Sequence, residues 1–141
     1  MKFSESLRKE CVDEAMDYLL VRSAARAKAL GEIFTPTTLV LEILEQLDDR
    51  CWEEGKSYLD PSAGNGQFLA AVLIIKKSHG HRDPLTTIYG VELMQDNVDE
   101  CRRRLIEIAG DTPKNWETVN WNIRCADALT FDFDDFDRNT V

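Results

Sequence analysis

Three acidic residues stand at or just beyond the carboxyl ends of three predicted strands: Asp60, Glu92 and Asp127. In an open parallel sheet, ligands bind beyond the carboxyl ends of the strands, so these side chains are expected at one edge. A carboxylate at Glu92 can accept hydrogen bonds from both hydroxyls of a ribose, and Asp127 can accept one from an exocyclic amine. Together they outline a site of the size and chemistry of adenosine.

A glycine turn, Ser-Ala-Gly-Asn-Gly at residues 62–66, follows the first of these acids. Gly64 and Gly66 lack the side chains that would block a ligand's close approach to the turn. No Lys-Ser/Thr pair follows, as a P-loop requires, and no third glycine completes a dinucleotide fingerprint. Asp60 at its mouth would repel a pyrophosphate but suits a cationic ligand, such as a sulfonium with an α-amino group.

The sequence pattern of the N-terminal third indicates two helices. Apolar residues recur at helical intervals from Ser4 to Leu30 without an internal Gly or Pro, which predicts one amphipathic helix ending at Gly31. A second helix should begin at Thr35-Pro36, where Thr can cap and Pro at the first position loses nothing. Its buried stripe is expected to contain Leu39, Val40, Ile43, Leu44 and Leu47.

The remaining pattern alternates strands and helices. It predicts strands over 56–60, 86–92 and 122–125, a buried helix over 68–75, and helices over 94–109 and 113–121. On the 94–109 helix, Asp99, Glu100, Arg103 and Glu107 are expected to face water, and Arg102, Arg103 and Arg104 to form an exposed charged face. Such alternation indicates βαβ units and a parallel α/β sheet.

The length, charge and cysteine content of the sequence limit the classes of protein to which it can belong. The 141 residues suffice for about one domain, and a formal net charge of −9 opposes unaided binding to a phosphate backbone. No two of the four cysteines form a Cys-x-x-Cys pair, so we expect all four to be reduced thiols. The first residues lack the apolar core of a signal peptide. We therefore expect a cytoplasmic protein. No metal ligands are assigned, because His79 and His81 fit a solvated turn better than a metal site.

Four segments, taken together, resemble adenine-specific DNA methyltransferases. Residues 60–69, DPSAGNGQFL, are similar to that family's S-adenosylmethionine motif, and residues 31–36, GEIFTP, are similar to the G-x-[FY]-[FY]-T-P segment of type I restriction-modification subunits. YGVEL at 89–93 resembles the family's acidic motif, and CADAL at 125–129 resembles its motif beside the adenine ring. The resemblance spans about residues 28–130 and implies a partial Rossmann-like methyltransferase fold with three or four strands and an N-terminal helical extension.

The resemblance also implies S-adenosylmethionine as cofactor and assigns its contacts. Residues from the first two motifs would surround the methionine moiety, Glu92 and Leu93 would flank the ribose and adenine, and Asp127 and Ala128 would complete the adenine pocket. The first group comprises Phe34, Thr35, Pro36, Asp60, Pro61, Ala63, Gly64, Gly66 and Phe68.

The family's catalytic tetrapeptide, [DNS]-P-P-[YFW], does not occur in these 141 residues, whose four prolines are all isolated. The resemblance therefore implies cofactor binding without supplying the groups for base chemistry, and no catalytic residue is assigned. One interpretation is the cofactor-binding part of a split or multi-subunit DNA methyltransferase. The alternative is an inactive module that senses or sequesters the cofactor, or interferes with a restriction-modification system. A fragment of a longer enzyme would show the same motifs.

The expected organisation is an N-terminal helix over 1–30, a cofactor-binding domain over 31–130 and an acidic, aromatic tail over 131–141. The tail is either a fourth, edge strand, a segment that docks its three phenylalanines on the domain, or a frayed terminus. In the family's sheet the first strand pairs with a fourth strand, so residues 56–60 should present an open edge. We expect a second copy of the chain or a separate subunit to cover that edge, with DNA reached only through a partner and no membrane contact.

Overall fold

The computed structural model describes residues 1–15 and 20–137. Within this part, no helix combines the length and the apolar composition needed to cross a membrane. Three 3₁₀ turns, Asp49–Trp52, Pro84–Thr87 and Phe133–Phe136, accompany the helices and strands. These are α1 (Glu5–Ala15), α2 (Ala24–Leu30), α3 (Thr37–Leu44), β1 (Tyr58–Asp60), α4 (Gln67–Ser78), β2 (Ile88–Glu92), α5 (Gln95–Ala109), α6 (Pro113–Asn122) and β3 (Ile123–Cys125).

The three strands form a parallel sheet in the order β1-β2-β3. This confirms the α/β fold predicted from the alternating pattern, with three strands. Among the described residues β1 pairs only with β2, so the open edge expected at residues 56–60 is present. Parallel strands need crossovers of a dozen or more residues, and α4 and α5 supply them here.

Helix α4 is the centre of the core. Its residues are buried from Leu69 to Lys76, and the helix contacts α1, α3, α5 and the sheet. A helix that is apolar on nearly every side requires partners on every side, as the sequence indicated. Phe3, Leu7 and Cys11 of the N-terminal segment are buried in the same cluster, so α1 packs as part of this core.

The prediction of one helix from Ser4 to Leu30 is wrong. Residues 20–23 are not helical, and α2 begins anew at Ala24 with Ser23 as its N-cap, whose hydroxyl accepts a hydrogen bond from the Arg26 amide. A Ser side chain competes with helix continuation by capping the next turn, which periodicity alone does not reveal. The helix does end at Gly31 in the left-handed conformation, as predicted.

Helix α3 buries only part of the predicted stripe, and it buries Leu41 in addition. Val40, Leu41 and Leu44 are buried, whereas Leu39 and Ile43 are each 44% exposed. The N-cap is Pro36 without a side-chain capping bond, so Thr35 does not cap this helix.

The C-terminal segment docks on the sheet as far as residue 137. The Phe136 ring lies 5.0 Å from that of Tyr89, and the Phe136 carbonyl accepts a hydrogen bond from Trp121 Nε1 at 3.0 Å. Phe131 and Phe133 complete the aromatic cluster. Of the three interpretations of the tail, the docked segment is therefore the one observed for residues 131–137, and it forms a 3₁₀ turn rather than a fourth strand.

Candidate cofactor site

The register of the sheet places the predicted acidic residues along one edge. Asp60 of β1 pairs with Gly90 of β2. Glu92 of β2 pairs with Cys125 of β3, and Asp127 follows Cys125 by two residues. Because side chains alternate along a strand, Asp60, Gly90 and Glu92 share one face of the sheet. A Cβ on Gly90 would meet Leu69 Cδ1 at 2.7 Å, so this is the face covered by α4.

Asp60 and Glu92 are electrostatic neighbours. Burial raises the pKa of the Asp60 carboxyl, the amide of Ser62 opposes this by donating to Oδ1 at 3.0 Å, and the charge of Glu92 adds a smaller upward shift. Desolvation and a nearby like charge both disfavour the ionised form of a carboxyl group. The structure thus places two carboxylates at the mouth of the glycine turn.

The glycine turn is held against β2 by the Ala63 amide, which donates to the Val91 carbonyl at 2.9 Å. Gly64 and Gly66 have φ values of 56° and 93°, in the left-handed region that favours glycine. A Cβ at Gly64 would lie 2.9 Å from the Phe34 ring, and one at Gly66 would lie 2.8 Å from Cys101 Sγ. The space that the glycines leave is filled here by the protein's own side chains, so their first role is close packing of the turn.

A buried polar chain positions the segment that contains Thr35 and Pro36. Gln67, at the start of α4, donates from Nε2 to the Thr35 carbonyl at 2.6 Å. Its Oε1 accepts from Arg104 Nη1, also at 2.6 Å. Arg104 is 1% exposed, so the prediction that it belongs to an exposed arginine face is wrong. Its guanidinium supports the Thr35 segment, through Gln67, from inside the core.

Glu92 is oriented by a residue that sequence reasoning missed. Asn97, in the first turn of α5, is fully buried, and its Nδ2 donates to Glu92 Oε2 at 2.7 Å. The same nitrogen donates to Oε2 of Glu32, also at 2.7 Å, and the Met94 amide donates to Glu92 Oε2 at 3.3 Å. The only signal in the sequence was the position of Asn97 five residues after the strand-end acid.

Two arginines fasten the N-terminal segment to the start of α5. Arg22 pairs with Glu100, and Arg26 pairs with Asp96 and, at 2.8 Å, with Glu32. Glu100 is 8% exposed, so the prediction that it faces water is wrong. Its carboxylate also accepts a hydrogen bond from Asn65 Nδ2 at 3.4 Å, which links this network to the glycine turn.

The outer part of the predicted site is open. Asp127 is exposed and its Oδ1 accepts the Leu129 amide at 2.9 Å, while Leu93 is 59% exposed. Pro61 is also exposed, whereas Ala128 and Phe68 are partly buried. The structure therefore brings Asp60 and Glu92 together and leaves Asp127 at the same edge without a contact to either among residues 1–15 and 20–137. The cofactor contacts assigned to these residues stay predictions.

A cleft of about 710 Å³ lies elsewhere, on the face of the sheet opposite α4. Tyr89, Trp121, Phe133 and Phe136 supply its aromatic wall. The predicted cofactor residues do not line it, since they lie at the carboxyl edge of the strands. The volume of a cleft therefore does not identify the candidate cofactor site in this protein. The candidate site is identified by the acidic residues and the glycine turn at the strand ends.

The comparison with known protein families agrees with the geometry. The family model for N-6 DNA methylase matches residues 8–138. No curated protein and no solved structure shows significant similarity to this chain. The match covers most of the chain, including all four segments around the strand ends, so the resemblance seen in the sequence is confirmed. The chain belongs to the N-6 DNA methylase family.

Proposed function

We propose that this protein binds S-adenosylmethionine at the carboxyl edge of its sheet. The observation that carries the proposal is the pair of carboxylates, Asp60 and Glu92, at neighbouring strand ends beside a left-handed glycine turn. Within residues 1–15 and 20–137, both hydrogen bonds to the Glu92 carboxylate go to Oε2, which leaves Oε1 to accept ribose hydroxyls. Asp60 supplies negative charge where a cationic methionine moiety would lie. Membership of a DNA methylase family supports the same cofactor.

The cofactor residues have different expected roles. Asp127, at the outer lip, is suited to accept the exocyclic amine of adenine, and Leu93 and Ala128 offer apolar contact to its ring. Phe34 lies over Gly64, where the methionine chain would pass, so its ring must turn aside when the ligand enters. A buried side chain that moves on binding is common at ligand sites, although backbone shifts there are usually small.

Calorimetric titration tests this proposal directly. The wild-type chain should bind S-adenosylmethionine and S-adenosylhomocysteine, and Glu92→Ala should weaken both. Asp60→Ala should weaken S-adenosylmethionine more, because only this ligand has the sulfonium charge. Asp135→Ala, an exposed acid of the tail, is the matched control and should change neither affinity. Absence of binding heat and of a thermal shift at millimolar ligand would refute the proposal.

We further propose that the chain is the cofactor-binding part of a DNA adenine methyltransferase completed by a second polypeptide. The net charge of −9 argues that contact with the DNA backbone comes from that partner. Mixing the two should give methyl transfer from labelled cofactor to adenine in DNA. Cofactor binding without transfer in the reconstituted mixture would favour the alternative, an inactive module that senses or sequesters the cofactor.

The surface for this partner is the β1 edge and the sheet face beside it. Leu59 on β1 is 43% exposed, and the neighbouring cleft is lined by Glu117, Asp134 and Asp137, with Lys114 engaged by Asp83. Two copies of a chain with a net charge of −9 would repel each other, so charge complementarity favours a separate, basic subunit. Sedimentation at tens of micromolar should show a monomer whose β1 amides exchange rapidly. Slow exchange in a monomer would contradict an edge that needs a partner.

A further inference from the structure

Asn97 is saturated by the groups around it. Its two Nδ2 hydrogens go to Oε2 of Glu92 and Oε2 of Glu32, each at 2.7 Å, and its Oδ1 accepts from Arg22 Nε at 2.7 Å. Because carboxylates only accept and guanidinium groups only donate, these partners fix the orientation of the amide. The side chain is fully buried, so it cannot exchange these partners for water without local opening.

The two carboxylates that accept hydrogen bonds from Asn97 differ in their other partners. Glu32 is paired with Arg26 at 2.8 Å, which neutralises its charge. Glu92 is held, among the described residues, by two neutral donors, the Asn97 amide and the Met94 N–H. A neutral donor fixes the direction of a carboxylate and leaves its charge and remaining lone pairs for a ligand, whereas an arginine would satisfy both oxygens.

We propose that Asn97 is the positioning residue for ribose recognition, which sets the direction of Glu92 so that Oε1 meets the sugar hydroxyls. Through its bonds to Arg22 and Glu32 it also makes that direction depend on the docked N-terminal segment. The inference rests on the proposed cofactor site and adds to it a residue that touches no ligand. Its effect is exerted entirely through Glu92.

The ribose hydroxyls provide the readout. Wild-type protein should bind S-adenosylhomocysteine about tenfold or more tightly than its 2′-deoxyribose analogue, because a hydrogen bond to a charged group is lost. Asn97→Ala should bring the ratio of the two affinities close to one while keeping affinity for the deoxy analogue. Asn120→Ala, at an exposed position of α6, is the matched control and should keep the wild-type ratio.

A double substitution distinguishes a positioning role of Asn97 from a general structural effect of its removal. In Glu92→Ala the ratio should already be small, and adding Asn97→Ala should change it by less than twofold, because Asn97 acts only through the carboxylate that Glu92→Ala has removed. If Asn97→Ala does not fold, Arg22→Gln answers the question instead, since it removes the guanidinium donor to Oδ1 and leaves the buried amide of Asn97 in place. It should lower the ratio partially.

Several results would overturn the inference. They are a wild-type ratio in Asn97→Ala, an unchanged ratio in Arg22→Gln, and a further change of more than twofold when Asn97→Ala is added to Glu92→Ala. Failure of the proposed function is a different result, because the wild-type chain would then bind neither ligand.

Discussion

Asp60→Asn should make the folded protein more stable while weakening its cofactor site. Burial raises the pKa of the Asp60 carboxyl above its unfolded value, and Glu92 raises it further. A group of this kind favours the folded state below its unfolded pKa, and that contribution is lost as pH rises through the folded pKa. At pH 7 the ionised Asp60 therefore costs stability, and a neutral amide of the same shape removes the cost.

The hydrogen bond at this position limits what else changes. The Ser62 amide donates to Asp60 Oδ1 at 3.0 Å, and an asparagine oxygen can accept the same bond. Each unit of raised pKa corresponds to about 1.4 kcal/mol, and about 1 kcal/mol moves the Tm of a domain this size by roughly 3–5 °C. We therefore expect Asp60→Asn to raise the Tm at pH 7, by roughly 4–7 °C for each unit by which the folded pKa exceeds the unfolded one.

Thermal denaturation at several pH values is the assay. The difference in Tm between Asp60→Asn and wild type should shrink as pH falls towards 3, because the wild-type carboxyl then becomes protonated in both the folded and the unfolded state. Asp135→Asn, at an exposed position, should shift the Tm by less than a degree at every pH. An Asp60→Asn variant that is no more stable at pH 7, or whose advantage persists unchanged in acid, would refute the reasoning.

Three further outcomes are expected. Gly66→Ala should destabilise by about 1–3 kcal/mol more than Gly55→Ala in urea denaturation, because both have positive φ but only Gly66 would press a Cβ against Cys101 Sγ. Equal losses would refute the packing role. Ellman's reagent at pH 8 should label two thiols rapidly and all four only after unfolding, because burial raises the pKa of two thiols to about 12; rapid labelling of three would contradict this. The protected thiols are Cys11 and Cys101, and the reactive ones are Cys51 and Cys125. Finally, 1 M salt should speed amide exchange in α2 and leave α4 unchanged, since α2 has no buried residue and is fastened by ion pairs.

The strand ends could be predicted because they depend on local pattern. The β-branched run stops at Glu92, and a glycine turn follows Asp60, so each acid is placed at the carboxyl end of a strand. This holds whichever strands are neighbours in the sheet. The fold class followed from alternation alone. The open β1 edge followed from the family resemblance, whereas the order β1-β2-β3 was not predicted, since local periodicity does not determine which strands are neighbours.

The polar interior could not be predicted in the same way. Helical periodicity treats a charged residue as solvent-facing, so it assigned Glu100 and Arg104 to the surface of α5. Both are buried because partners distant in sequence reach them: Arg22 pairs with Glu100, and Gln67 accepts from Arg104. Long-range pairing of buried charges depends on the tertiary arrangement, which a single sequence pattern does not contain.

These buried pairs explain how an acidic chain tolerates so many carboxylates around one edge. The cations of the N-terminal segment neutralise Glu32, Asp96 and Glu100, which lie behind the strand ends. Asp60 and Glu92, at the front, receive only neutral donors among the described residues. The front therefore keeps an unbalanced negative charge that costs stability in the free protein, and binding of the proposed cationic ligand would offset that cost. Stability and affinity should consequently change in opposite directions when Asp60 is neutralised.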